Sequence, residues 1–193
     1  VRIHELGEGD VDPTPEQLAR MRALVVKAME DGAMGVGSSL IYAPGSYAET
    51  DELAALVTEA GRCGGGYISH MRSEGNNLLE AVDELIEISR RSGAPAEIYH
   101  MNNYPAGSTG LDAAMPTWVQ AGGVEAWIAR LKDPATRAKV KAEMIGEPVG
   151  FENLMRHAGG EGTLLVGFKN PALKPLTGKT LAEVAKMRGV SVQ

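Results

Sequence analysis

Tyr67-Ile68-Ser69-His70-Met71-Arg72-Ser73-Glu74-Gly75 decides the fold of this chain. It is a short apolar strand that ends on a histidine and breaks into a polar loop. Gly64-Gly65-Gly66 sets it off from a helix that begins at Thr50-Asp51-Glu52 and carries Leu53, Leu56, Val57 and Ala60 on one face. Further upstream, Tyr42 to Tyr47 is a loop with Pro44 and Gly45. Before it, Met34-Gly35-Val36-Gly37 reads as another strand. A first helix opens at Thr14-Pro15-Glu16-Gln17, with Thr14 as N-cap, Pro15 in the first turn and Gln17 reaching back. Leu18, Met21, Leu24, Val25 and Met29 follow at helical spacing, up to Gly32. Downstream of the quoted stretch, Leu78, Leu79, Val82, Leu85 and Ile86 mark a third helix, closed by Gly93 and Pro95. Ala96 to His100 is a third strand. The strand starts at 34, 67 and 96 are spaced by about 30 residues, each interval holding one helix, which is the size of a βαβ unit. The chain is therefore expected to be α/β, with parallel strands in a sheet or barrel covered by helices.

The pattern stops near residue 101, giving two parts, 1–101 and 102–193. Met101 to Gly123 reads as loop. Trp127, Ile128 and Leu131 lie on a helix, and Asp133-Pro134 caps another running to about Met144. Thr163 to Gly167 is expected to be a strand, and Thr180-Leu181-Ala182-Glu183 is a second capping box opening a helix to about Arg188.

With 193 residues and 44% hydrophobic content the chain is long enough to bury a core. The net charge of −6 and scattered Lys and Arg argue against a nucleic-acid surface. No run approaches the roughly 20 apolar residues that span a bilayer. One cysteine excludes an internal disulfide framework and a Cys-cluster zinc site. That residue, Cys63, reads as a small buried filler near a helix end. Glycine, at 24 residues, is well above the ordinary share of about 7% and implies many turns and close backbone approaches.

His70 and His100 each end a strand, and one helix separates the two strands. In a parallel sheet both fall at the carboxyl edge, where α/β folds place their sites. Neighbouring strands lie about 4.8 Å apart, so the two imidazoles are able to share one metal ion or to hold one each of a close pair. The plainer alternative is that each histidine caps its strand and bonds a loop. Arg72 either clamps a ligand carboxylate with its fork or pairs with Glu74 at the surface. Gly178-Lys179-Thr180 lacks the upstream glycine of a phosphate loop and reads as a helix cap. Gly107-Ser108-Thr109-Gly110 reads as a turn before it reads as an anion nest. His4 and His157 have no partner at ligand spacing, and Glu74 is the one carboxylate near His70.

Taken together, these stretches are recognisable. Met29-Glu-Asp-Gly-Ala-Met-Gly-Val-Gly-Ser-Ser-Leu-Ile-Tyr-Ala-Pro-Gly-Ser-Tyr, Thr50-Asp-Glu-Leu, Tyr67-Ile-Ser-His-Met-Arg-Ser-Glu-Gly and Glu97-Ile-Tyr-His resemble the N-acyl-D-amino-acid deacylases (D-aminoacylases) of the amidohydrolase superfamily. So do Ala106-Gly-Ser-Thr-Gly-Leu-Asp, Ala158-Gly-Gly and Pro175-Leu-Thr-Gly-Lys-Thr-Leu-Ala-Glu-Val-Ala. The resemblance implies a partial (β/α)8 barrel of the TIM type followed by a mainly helical half. It implies a zinc-dependent hydrolase that cleaves the amide of a small N-acyl-D-amino acid to a carboxylate and a free D-amino acid. The family's metal-binding histidines on barrel strands five and six match His70 and His100. Arg72, Tyr104 and Ser108 are the substrate-side candidates.

The departures are equally specific. The family's HxH pair and metal-bridging cysteine have no counterpart here, and Cys63 does not correspond to the latter. The catalytic aspartate of strand eight falls beyond Gln193, and Asn102 stands where the family has lysine. The stretch carrying strand seven is absent between His100 and Tyr104. A complete barrel takes about 250 residues. The expectation is therefore an internally shortened middle portion, inactive by itself, whose open sheet edges favour self-association. The alternative is a non-catalytic relic of the fold. Without a visible leader the expected compartment is the cytoplasm, although a chain opening on Val1 reads as one that has lost its start.

Overall fold

The structure, a computed structural model, describes residues 1–98, 106–147 and 150–192. Its first region alternates helix and strand: α1 (Arg2–Leu6), α2 (Pro15–Glu30), β1 (Gly35–Ser39), α3 (Thr50–Arg62), β2 (Gly66–His70), α4 (Leu78–Ser92) and β3 (Ala96–Ile98). The described strands form one parallel sheet in the order β1-β2-β3, in register Ser39↔His70 and Tyr67↔Ala96. It has three strands and does not close. The glycine-rich start of β1 has a steric cause, since a Cβ on Gly35 would meet the Gly66 carbonyl oxygen at 2.0 Å.

Alternation along the strands gives the sheet two unlike faces. Val36, Tyr67 and Ala96 face the helices and pack with Leu53, Val57, Leu85 and Ile88. Behind them Ser38 bonds the Tyr67 hydroxyl at 2.7 Å and the Ser69 hydroxyl at 2.9 Å, so the buried polar atoms are satisfied. On the other face Ile68, opposite Gly37 and Glu97, is 42% exposed. His70 shares the parity of Ile68 and therefore belongs to this open face.

The first helices start and stop as their sequences dictate. In α2 the Gln17 amide donates to Thr14 Oγ1 at 3.2 Å and the Thr14 amide to Gln17 Oε1 at 2.8 Å, a reciprocal cap. Met21 and Val25 of α2 pack against Leu56 and Ala60 of α3. Arg22 and Arg62 both bind the buried Glu59 carboxylate, and Arg2 pairs with buried Glu52, pinning α1 to α3. Helix α4 forms where its spacing predicts and ends at Gly93, but its buried stripe is Ala81, Leu85 and Ile88. Leu78 and Leu79 lie in its first turn, outside that stripe, and Leu79 and Ile86 are exposed.

Beyond residue 105 the described elements are helical: α5 (Thr117–Gln120), α6 (Gly123–Lys132), α7 (Pro134–Ile145), α8 (Leu154–Gly162) and α9 (Leu181–Arg188). Asp133 caps α7 through the Thr136 amide at 2.7 Å, and Thr180 with Glu183 forms the capping box of α9. The stretch expected as loop up to Gly123 contains a 3-10 turn at Leu111–Ala114 and the short α5. Thr163 to Gly167 is not a strand. It makes one antiparallel bridge, Leu164↔Thr180, because its partner segment is the turn leading into α9. Cys63, expected in the core, is exposed, since it follows the last turn of α3 as its C-cap. Bonds that join the two regions include one from the Tyr47 hydroxyl to the Thr117 carbonyl at 2.6 Å and one from the Gly122 amide to the Glu8 carbonyl at 2.7 Å. Burial pushes the Tyr47 phenol up to about 12, so it remains a donor at any ordinary pH. No described helix is long and apolar enough to cross a membrane.

Candidate metal-binding rim

His70 is the last residue of the central strand, at the carboxyl edge where the loops after β1 and β2 meet. From the first loop, the Tyr42 ring meets the imidazole in a T-shaped contact, centroids 5.4 Å apart and planes at 79°. From the second, Glu74 pairs with His70 Nε2. A carboxylate beside one ring nitrogen fixes that nitrogen as the protonated one and directs the ring.

The loop carrying Glu74 is itself tightly held. Ser73 is buried, and its hydroxyl accepts from the Gly75 and Asn77 amides at 3.2 and 3.3 Å. From the distant segment before α8, Glu152 Oε2 accepts from Ser73 Oγ at 3.0 Å, the Glu74 amide at 2.6 Å and the Gly75 amide at 3.2 Å. Asn153 anchors that segment: it is fully buried and donates to the Met144 carbonyl at 2.6 Å.

Arg72 is occupied within the protein. Its Nε and one terminal nitrogen grip Glu84 of α4 at 2.9 Å each, and its remaining bonds reach the Ser46 and Ala48 carbonyls at 2.7 Å. Burial works against its charge, and Glu84 more than offsets this, so its pKa stands above the ordinary arginine value. The fork therefore holds Glu84, neither a ligand carboxylate nor Glu74, and braces the β1 loop against α4. Ser108 is exposed; its neighbour Thr109 donates to the Tyr42 hydroxyl at 3.4 Å, which brings the 106–110 stretch to the rim. His100 and Tyr104 lie outside the described residues. A cavity of about 470 Å³ runs along the outer edge of β1, lined among others by Val36, Leu40, Tyr42 and Leu53.

Among the described residues, no three His, Cys, Asp or Glu side chains converge as a metal-ion shell. His70, with a carboxylate on one nitrogen, suits one position of such a shell and does not make a closed site. Sequence reasoning missed Tyr42 and Glu152. Tyr42 carried a faint signal, because a loop following one parallel strand shares its rim with the end of the next. Glu152 carried none.

No family model matches the chain. A D-aminoacylase of Alcaligenes xylosoxydans xylosoxydans is 36% identical over 87 residues, covering 45% of this chain and 18% of that protein. An N-acyl-D-glutamate deacylase of the same organism is 31% identical over 114 residues, 59% of this chain and 23% of its own length. The chain thus spans about a fifth of the curated relatives it matches. Among solved structures, the N-acyl-D-glutamate deacylase of Bordetella bronchiseptica, complexed with zinc and a phosphonate inhibitor, superposes with a TM-score of 0.62 at 21% identity, over 99% of this chain and 38% of that one. The chain is similar to the N-acyl-D-amino-acid deacylases, and it shares its fold with part of an amidohydrolase.

Proposed function

We propose that this chain carries part of the metal-binding rim of a zinc-dependent amidohydrolase acting on N-acyl-D-amino acids. The supporting observation is His70, at the carboxyl end of the central parallel strand, on the open sheet face, with Glu74 on its Nε2. His70 and His100 are the proposed zinc ligands. Bound there, zinc would polarise the amide carbonyl and lower the pKa of a water to about 7. Tyr42 and Glu74 orient the His70 ring, and Arg72 keeps the β1 loop in place. Tyr104 and Ser108 are the proposed contacts to the substrate, whose products are a carboxylate and a free D-amino acid. The open edges of β1 and β3 are proposed to pair with further strands, of the same polypeptide or of a second copy.

A second reading is that the chain binds metal without turnover. For turnover, a general base must lie within reach of the attacking water. Among the described residues, Glu74 is engaged with the imidazole, and Glu152 with backbone amides of the loop that follows His70.

Metal analysis and a deacylase assay on N-acetyl-D-methionine separate these readings. The purified chain is expected to retain zinc weakly, to lose it on His70→Ala and to show no turnover. Turnover that His70→Ala abolishes would overturn the non-catalytic reading. Zinc content indifferent to His70→Ala would overturn the metal assignment.

A further inference from the structure

We propose that Glu152 is a positioning residue for His70, acting through the loop that follows β2, whose Glu74 lies 78 residues before it in the sequence. The proposal deepens the reading of His70 as a zinc ligand and rests on it. Glu152 Oε2 takes three donors from consecutive residues, Ser73 Oγ, the Glu74 amide and the Gly75 amide. Bonds to an ionised acceptor are roughly twice as strong as neutral ones, and three on one oxygen fix the backbone at Glu74. The Glu74 side chain then has a defined origin from which to meet His70 Nε2. The order of action is Glu152, the loop backbone, Glu74, and the His70 ring.

Two further observations support a built contact. The carboxylate is carried by the residue before Asn153, which is fully buried and tied to the end of α7. The loop also has a glycine where a side chain would intrude: a Cβ on Gly75 would stand 3.0 Å from Glu152 Oε1 and 3.4 Å from His157 Cε1. Gly75 thus leaves room for the carboxylate. Through this contact the helical region sets the geometry of a histidine in the βα region.

The test uses the full 193-residue chain at one fixed pH, with two readouts. The first is the ¹⁵N signals of the His70 ring in the metal-free protein, assigned by their disappearance in His70→Ala. The second is zinc affinity by titration with zinc alone. Glu152→Gln keeps the size of the side chain and removes its charge, and Gly75→Ala pushes on the carboxylate from the other side. Both are expected to move the His70 ring signals and to weaken zinc binding about 10-fold or more, the range for loss of a group supporting a ligand. Glu74→Gln should do the same, and adding Glu152→Gln to it should cost little more, because both act along one path. Unchanged ring signals in a folded Glu152→Gln or Gly75→Ala protein would overturn the proposal, as would full additivity with Glu74→Gln. The ring readout needs no metal. If wild-type zinc affinity is indifferent to His70→Ala, the ligand assignment fails, and the ring signals still decide whether Glu152 positions His70.

Discussion

Residues 1–98 and 106–192 are built on different physical terms. In the first region three parallel strands and the faces of α2, α3 and α4 enclose two apolar clusters, with Met21, Val57, Ala60 and Ile88 fully buried. In the second, the buried apolar side chains among the described residues are Ala114, Pro116, Val119, Val140, Met155, Val184 and Ala185, spread thinly over its elements. Its helices are held by caps at Asp133, Asn153 and Thr180 and by polar ties such as Trp118 Nε1 to Glu143 at 2.8 Å. A sheet with one covered face makes a core, whereas short helices with narrow apolar stripes depend on what they lean against. The lesson is that the rim holding His70 is rigid on the side of the core and is secured by single contacts, Glu152 above all, on the other.

The contrast predicts unequal responses to the same kind of damage. Ile88→Ala removes a fully buried side chain from the larger cluster and should cost about 2–5 kcal/mol in denaturant unfolding. Val140→Ala, at the buried position of α7, should cost about 1.5 kcal/mol, the transfer free energy of the atoms removed. Equal losses would erase the distinction between the regions.

Capping boxes sharpen the comparison, because the same device occurs in both regions. Thr14→Ala and Thr180→Ala should each cost about 1 kcal/mol. The first should lower the cooperative unfolding midpoint. The second should be seen mainly as faster amide exchange in α9 with the midpoint nearly unchanged. A full midpoint shift from Thr180→Ala would show that α9 is part of the same cooperative core.

The smallest effect is in acid. Burial by itself would raise the Glu59 carboxyl, but hydrogen bonds and charge from Arg22 and Arg62 outweigh it and hold the group below the ordinary glutamate value. Its stabilisation is therefore complete above about pH 4.3 and is lost as pH falls through the lowered folded value. Burial raises Glu52 in spite of Arg2, so that group works in the opposite sense: its contribution is complete below the ordinary value and is lost as pH rises through the raised one. Glu59→Gln should flatten the acid limb of stability against pH. An unchanged acid limb would remove Glu59 from the account.

The difference between the regions also explains what was legible in the sequence. The βα alternation, the Thr14 and Thr180 boxes and the Asp133 cap depend on residues within four of one another, so spacing alone exposes them. His70 was legible because strand, histidine and glycine-bounded loop are contiguous. The burial of Ala81 and Ile88 in place of Leu78 and Leu79 was not legible, since it depends on how far the sheet extends beneath α4. Arg72, in the loop after β2, and Glu84, in α4, are twelve residues apart and are brought together only by the fold. Glu152 reaches its loop from another region, and no local pattern marks it.

The most direct test of the central claim, that His70 is a metal ligand, is X-ray absorption at the zinc edge of the zinc-loaded chain, compared with His70→Ala. The account predicts nitrogen neighbours at about 2.0–2.1 Å with imidazole scattering, and the loss of one imidazole in the variant. A shell made only of oxygen, or a spectrum that His70→Ala leaves unchanged, would contradict it.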